Sequence, residues 1–165
     1  MRRRLFMALA AATALFAFGG PISSAAAGTT VVHVSTTDMG AKVDPAGGIG
    51  LSLNGDKSKA TMAMLAVPNT VRAGKVKFIV SNKSGDTVHE MIVAPVADPT
   101  KPLDYVQAED RVNEEAAGHL GEVSELEPGK SWTLEVDLKP GTYILYCNIP
   151  KHYMAGMWTL LTVTP

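Results

Sequence analysis

Hydrophobic and polar residues alternate along this chain in short runs, a pattern typical of β-strands rather than of helices. The clearest example is VKFIVS at residues 76–81, where apolar and polar side chains alternate with a period of two. Turn sequences containing Pro, Gly or Asn separate the runs. The pattern predicts seven or eight strands that form a two-sheet Greek-key β-sandwich. The predicted strands are residues 29–37, 60–67, 76–81, 88–93, 131–138, 142–146 and 157–163.

One segment departs from this all-β pattern. Residues 104–117 (DYVQAEDRVNEEAA) contain good helix formers, begin with the candidate N-cap Asp104 and are followed by Gly118 as a stop. They predict one helix inserted between strands. Residues 44–56 are rich in Gly, Asn and Asp and predict a loop, with a short strand over residues 50–53.

Several methionine and tryptophan side chains lie at positions that we expect to face the core of the sandwich. Met62, Met64 and Met91 occupy alternating strand positions, so we expect them to fill the core rather than to handle metal. Trp132 and Trp158 are expected to be core aromatic residues.

The first 27 residues look like an export signal rather than part of the fold. Three arginines at positions 2–4 precede an apolar run over residues 5–18, and small residues follow at 25–27. The apolar run is short for a bilayer-spanning helix, although a retained membrane anchor is the alternative. Arg3 and Arg4 also fit a twin-arginine signal. We expect cleavage of residues 1–27 to release one domain, residues 28–165, into the periplasm or the medium.

The net charge and the number of cysteines exclude some classes of function. The net charge is −1, and removal of the three signal arginines would make it about −4. A mildly acidic surface argues against nucleic-acid binding and is compatible with a basic protein partner. We expect a monomer that is not inserted in a membrane after cleavage. Because Cys147 is the only cysteine, no internal disulfide can form, and an exported thiol needs burial or a metal bond for protection.

A metal-binding pattern surrounds that cysteine. Four residues separate Cys147 from His152, and four more separate His152 from Met157. The predicted strands on either side place these residues in one hairpin. A soft thiolate, an imidazole and a weak axial thioether are the donors of copper electron-transfer sites, which also need a second histidine. Met154 is a rival axial ligand, but we expect it to line an apolar rim.

The candidates for the second histidine are His33, His89 and His119. His33 lies in the first predicted strand, where a partly exposed position is the simplest interpretation. His119 follows the predicted helix and is expected to be exposed. Its acidic neighbours leave open a second, weaker metal site: Glu114, Glu115 and Glu122.

The segment NKSGDTVH at residues 82–89, together with the Cys–His–Met hairpin, resembles the cupredoxin family of type 1 (blue) copper proteins. The hairpin spacing is most similar to that of rusticyanin and sulfocyanin. The resemblance covers residues 67–165. It implies an eight-stranded sandwich with one copper ion at one end, His89 as the N-terminal ligand, and a His152 ring whose edge reaches solvent.

The resemblance also assigns roles near the ligands and leaves one open. It implies that Asn82 ties the His89 loop to the cysteine loop. Glu90 stands where many family members have Asn, so the sequence does not show which group holds the cysteine-side loop.

The expected function is one-electron transfer, by Cu(II)/Cu(I) cycling, between redox protein partners such as a cytochrome or a membrane oxidoreductase. The alternative is copper buffering, delivery or tolerance in the periplasm. An enzyme is not expected. Tyr146 and Asn148 flank the cysteine where related copper oxidases carry a His-Cys-His run, and a binuclear copper domain would need a second cysteine.

Overall fold

The computed structural model describes residues 28–38 and 60–165. In these residues the chain forms eleven strands and one short helix. The predicted signal peptide, residues 1–27, and the predicted loop over residues 44–56 lie outside the described part. None of the helices in the described part is both long and apolar enough to cross a membrane.

The first sheet has four strands, and each one coincides with a predicted run. Strand β1 runs parallel to β4, while its pairing with β2 and the pairing of β4 with β9 are antiparallel. Alternation holds along β4, where Val76, Phe78 and Val80 face the core. In spatial order the strands are β2 (Ala63–Val67), β1 (Thr30–Thr37), β4 (Gly74–Asn82) and β9 (Ser131–Leu138).

The second sheet has five strands, of which two were not predicted. Strand β3 has only three residues, and β8 (GEVSEL) buries only Val123 and Leu126, so neither carries a clear alternating pattern. In spatial order the strands are β3 (Thr70–Arg72), β11 (Trp158–Thr164), β10 (Gly141–Tyr146), β5 (His89–Pro95) and β8 (Gly121–Leu126).

The core lies between the two sheets and includes Phe78, Leu145 and Leu161. Met64 and Met91 are fully buried in it and Met62 packs against it, as predicted. Burial of this apolar surface is the main stabilising contribution to such a sandwich. Packing of the two sheets on this shared core fixes the relative positions of the strand ends.

A second apolar cluster lies on the outer face of the five-stranded sheet. Ile92, Ile144 and Trp158 are buried there under a cover that includes Val112 and Ala117. Strands β5 and β10 are consequently buried on both faces, which explains why their sequences do not alternate. Trp158 is a core residue, as predicted.

The covering segment is not the predicted helix over residues 104–117. It contains a two-stranded sheet of β6 (Tyr105–Val106) and β7 (Arg111–Val112), followed by the single-turn helix α1 (Glu114–Ala117). The N-cap is Asn113, whose side chain accepts a hydrogen bond from the Ala116 N–H, and not Asp104. Packing of Tyr105 and Val112 on the sheet outweighs the helix propensity of the segment. Gly118 ends the helix, as predicted, in the left-handed conformation.

Trp132 was predicted to be a core residue, and this is wrong, because 68% of its surface is exposed. It pairs with Val80, a core residue, and therefore points toward the same side of the sheet. It lies near the start of the edge strand β9, where the two sheets do not cover it. Position in the sheet, rather than residue type, decides its exposure.

Candidate metal centre

Three of the predicted ligand positions lie at one end of the five-stranded sheet. His89 begins β5, Cys147 directly follows β10, and Met157 directly precedes β11. Strand β10 is antiparallel to both β5 and β11, so the end of β10 lies beside the starts of its two neighbours. The topology thus brings together residues that are up to 68 positions apart in the sequence.

The side chains of His89, Cys147 and His152 form a compact cluster. One ligand atom from each lies within 4.8 Å of the other two. The Nδ1 atoms of the two imidazoles are 3.3 Å apart, and Cys147 Sγ is 3.3 Å from His152 Nδ1. His89 and Cys147 are fully buried, and His152 is 8% exposed. Two nitrogen donors and one sulfur donor therefore face a common point.

The two candidate axial methionines differ in burial. Met157 is fully buried, its carbonyl accepts the Cys147 N–H at 3.0 Å, and its own N–H donates to the carbonyl of His152 at 3.1 Å. Met154 is 38% exposed. The backbone of Met157 is thus bonded to two cluster residues, whereas Met154 lies at the surface.

The other candidate histidines lie outside this cluster. His33 is exposed on β1, in agreement with the simple interpretation of its sequence position. His119 lies beyond α1, where one ligand atom from each of His119, Glu114 and Glu122 falls within 4.8 Å of the others. Glu115, the third acidic neighbour predicted for His119, is not part of that group.

Burial keeps the cluster neutral when no metal is bound. It lowers the pKa of His89 from 6.5 to about 4, with a further lowering by His152 and an opposing effect of Asp38. Burial, assisted by the charge of Arg111, also lowers the pKa of His152. Neutral imidazoles are the form that binds a metal.

The Cys147 thiol is shifted in the opposite direction. Burial raises its pKa to about 12, against the effect of backbone N–H groups from Glu90 and Ile149. A coordinating metal ion deprotonates a thiol outright. The donor set therefore fits a copper ion, whose positive charge would stabilise the buried Cys147 thiolate.

Ser84 holds the His89 ring in position. Its Oγ is 2.7 Å from His89 Nε2 and accepts the Asp38 N–H at 3.0 Å. With its proton on Nε2, the ring donates to Ser84 and leaves Nδ1 free to face the cluster. Sequence reasoning missed Ser84, whose only signal is its place in the NKSGD turn, where a hydroxyl often bonds the local backbone.

Asn82 is buried, but it does not bind the cysteine loop as the resemblance implied. Its Nδ2 donates to the carbonyls of Thr87 and Leu126, both at 2.8 Å, and its Oδ1 accepts the Ser84 N–H at 2.9 Å. These bonds fasten the turn that leads to His89 onto β8. The role of Asn82 is thus limited to the histidine side of the site.

Glu90 and Asn148 hold the cysteine side, which answers the question left by the sequence. The Glu90 N–H donates to Cys147 Sγ at 3.4 Å, and the Glu90 carboxylate accepts the Asn148 N–H at 2.6 Å. A β-bulge between His89 and Met91 interrupts the strand pairing at Glu90. Such bulges commonly redirect side chains next to functional sites.

The Asn148 side chain extends this connection to the segment that covers the sheet. Its Oδ1 accepts the Val112 N–H at 2.6 Å, while its Nδ2 donates to the Val112 carbonyl at 3.0 Å and to Glu114 Oε1 at 2.8 Å. Asn148 is 1% exposed. We name the pair Glu90 and Asn148 the cysteine clamp, because together they fix the residue that follows Cys147.

The Glu90 carboxyl is buried among other charges. Burial raises its pKa, the Asn148 N–H opposes this rise, and the negative charges of Glu122 and Glu114 add to it, while Arg111 lowers it. Only 7% of the residue is exposed. Negative charge is thus concentrated behind the cysteine loop.

Backbone hydrogen bonds also hold the loop from Cys147 to Met157 against other parts of the chain. The Lys151 N–H donates to the carbonyl of Asp110 at 2.8 Å, and the carbonyl of Ala155 accepts the N–H groups of Thr61 and Met62. Gly156 has φ 98°, a conformation that a glycine adopts without strain. The loop is therefore held by two other parts of the chain.

A β-sandwich with a buried His–Cys–His cluster at one end is the architecture of a cupredoxin. The sequence model of the copper binding proteins of the plastocyanin/azurin family matches residues 51–164. The chain belongs to this family, and copper is its cofactor. The predicted family and fold class are both confirmed.

Two solved auracyanin structures support the fold. Auracyanin B is 22% identical, with 89% of this chain and 97% of auracyanin B covered at a TM-score of 0.52. Auracyanin A, a "blue" copper protein from the green thermophilic photosynthetic bacterium Chloroflexus aurantiacus, is 17% identical, with coverages of 83% and 100% and a TM-score of 0.50. Reduced rusticyanin is 16% identical, with coverages of 84% and 82% and a TM-score of 0.46. A comparison with curated protein sequences gives no significant match.

Proposed function

We propose that this copper protein is a one-electron carrier whose metal is held by four residues: His89, Cys147, His152 and Met157. The observation that carries the proposal is the buried cluster of two imidazole nitrogens and one thiol sulfur, with a buried methionine beside it. Bound copper supplies a Cu(II)/Cu(I) couple to such a site. The four ligands stay in place while the copper changes its oxidation state.

The residues around the cluster keep its geometry constant. Ser84 fixes the His89 ring, and the cysteine clamp fixes the Cys147 side. A site that cannot relax between two oxidation states has a small reorganisation energy, which favours fast electron transfer. Burial of the donors excludes water and disfavours the binding of a substrate, so we propose a carrier rather than an enzyme.

His152 is the proposed point of electron exchange. Of the three cluster residues it alone keeps some exposed surface, at 8%. The partly exposed Met154 lies two residues further along the same loop. A redox protein that docks over this end of the sandwich would approach the ring of His152 most closely.

We further propose that the domain of residues 28–165 functions as a monomer outside the cytoplasm, in the periplasm or the medium, where its partners are exported or membrane-bound redox proteins. The basic and apolar pattern of residues 1–27 supports export. The single cysteine also fits an oxidising compartment, because its burial and the proposed copper bond protect the thiol.

Stopped-flow spectroscopy of the copper-loaded protein tests the carrier function. We expect an outer-sphere reductant to bleach the thiolate-to-copper absorption and an outer-sphere oxidant to restore it fully over repeated cycles. Copper loss to a chelator during those cycles would instead support copper buffering or delivery. A band that does not return on re-oxidation would contradict the carrier function.

A further inference from the structure

We propose that Glu114, His119 and Glu122 form a second metal site, which binds a divalent transition-metal ion such as Zn²⁺. One ligand atom from each side chain lies within 4.8 Å of the other two, and His119 Nε2 is 3.7 Å from Glu122 Oε2. One imidazole and two carboxylates are a suitable donor set for zinc. We name this group the acidic triad; its existence does not depend on the copper assignment.

The backbone presents the three side chains from fixed positions. Glu114 begins α1, and Gly118, with φ 75°, reverses the chain so that the His119 N–H donates to the Glu114 carbonyl at 3.2 Å. Glu122 lies in β8 and pairs with Ile92. Zinc ligands lie about 2.0–2.2 Å from the ion, so a small rotation of the partly exposed side chains would bring all three donors within bonding distance.

Tyr146 carries a buried hydroxyl on the face of the sheet from which Glu122 projects. Tyr146 is fully buried, and its hydroxyl has no hydrogen-bond partner among the residues that the structure describes. Tyr146 pairs with Ile92, and Ile92 pairs with Glu122, so the side chains of Tyr146 and Glu122 lie on the same face of the sheet. A water molecule bound to a metal ion at the triad would provide the missing partner.

The charge around the triad also favours a cation. In residues 28–38 and 60–165, no lysine or arginine forms a salt bridge with Glu114 or Glu122. The Glu114 carboxylate accepts a hydrogen bond from the neutral Asn148 side chain, and the buried Glu90 carboxylate accepts the Asn148 N–H, so Glu90 adds a third carboxylate close to the triad. Arg111 offsets part of this charge at Glu90. A divalent ion would neutralise what remains.

Isothermal titration calorimetry of the copper-loaded protein with Zn²⁺ tests the proposal. Copper loading keeps zinc out of the buried cluster. We expect one zinc ion per chain. His119→Ala and Glu122→Gln should each weaken zinc binding by at least about tenfold, because each removes one of only three protein ligands. Both residues lie at the surface, so the variants should fold and retain the copper absorption.

Two matched controls separate a site from general surface charge. Glu115→Gln removes the same charge from the neighbouring exposed residue, and His33→Ala removes an exposed imidazole on β1. Both should bind zinc as the unchanged protein does. The proposal is wrong if the unchanged protein binds no zinc, if His119→Ala and Glu122→Gln leave the affinity unaltered, or if Glu115→Gln weakens it equally.

Discussion

The molecule contains two clusters built around histidine, and they differ in nearly every property that governs metal binding. His89, Cys147 and His152 are buried, neutral in the absence of metal, and include a soft sulfur donor. The acidic triad is partly exposed and offers only nitrogen and oxygen donors. Residue type alone therefore identifies a possible ligand, whereas burial and donor softness decide which metal ion the site suits and how readily that ion exchanges.

The two clusters are also connected. Asn148 follows Cys147 and donates to Glu114, a member of the acidic triad. Tyr146 precedes Cys147, and Glu90 follows His89. The buried cluster therefore depends on a hydrogen-bonded support that reaches the surface near the second cluster.

The largest expected effect is the loss of this support. Asn148→Ala removes two bonds to Val112 and one to Glu114 and leaves buried backbone groups unpaired, so we expect a loss of about 2–4 kcal/mol in the free energy of unfolding. Urea denaturation of the copper-free protein measures it. Asn113→Ala, which removes the exposed N-cap bond to Ala116 and an exposed bond to Asp104, should cost about 1 kcal/mol. Equal losses in the two variants would show that the buried bonds of the Asn148 side chain stabilise the protein no more than an exposed helix cap does.

Acid should destabilise the copper-free protein through its buried histidines. His89 in the folded state has a pKa of about 4, against an ordinary value of 6.5, so the unfolded chain binds more protons between these two values. The contribution of His89 to the free energy of unfolding is therefore fully present above pH 6.5 and is lost as the pH falls toward 4. The raised pKa of Glu90 acts in the opposite direction.

A variant separates these two contributions. His89→Gln keeps Glu90 but removes the imidazole, so its urea midpoint should fall less steeply with decreasing pH than that of the unchanged protein. His33→Ala, which alters an exposed histidine, should leave the slope unchanged. If His89→Gln has the unchanged slope, the buried imidazole is not the source of the acid sensitivity.

A smaller structural change distinguishes the two methionines. Met157→Leu conserves volume, so stability should change by less than about 1.5 kcal/mol. The copper reduction potential should nevertheless rise, because loss of the axial thioether removes a donor that stabilises Cu(II). Protein-film voltammetry measures this potential. Met154→Leu is the matched control and should leave it unchanged; a larger shift for Met154→Leu would reverse the assignment of the axial ligand.

The smallest expected effect concerns the exposed cluster. His119→Ala should leave the copper absorption spectrum unaltered and change the free energy of unfolding by no more than about 0.5 kcal/mol, as for other exposed positions. Copper titration and urea denaturation measure the two quantities. A clear change in copper affinity would show that the buried cluster depends on His119.

Sequence reasoning was sufficient where the pattern is local. The alternation in β4 and β9 identified both strands, and the Cys147–His152–Met157 spacing identified one side of the candidate site. It failed for the covering segment, because packing of Tyr105 and Val112 against the sheet outweighs the helix propensity of the residues around them.

The cysteine clamp could not be predicted either. Its bonds join residues 58 and 36 positions apart, from Asn148 to Glu90 and to Val112. The residues next to Glu90 in the sequence do not indicate that its carboxylate accepts a hydrogen bond from the backbone N–H of Asn148. The acidic triad, by contrast, lies within nine consecutive residues, which is why sequence alone could suggest it.

The visible absorption spectrum of the Cu(II)-loaded protein shows whether the buried Cys147 sulfur binds the copper. Each sample is compared at equal copper content, measured by elemental analysis. We expect an intense band toward the red end of the spectrum in the unchanged protein and its loss in Cys147→Ser. A colourless protein with full copper occupancy, or an intense band that survives Cys147→Ser, would contradict the account.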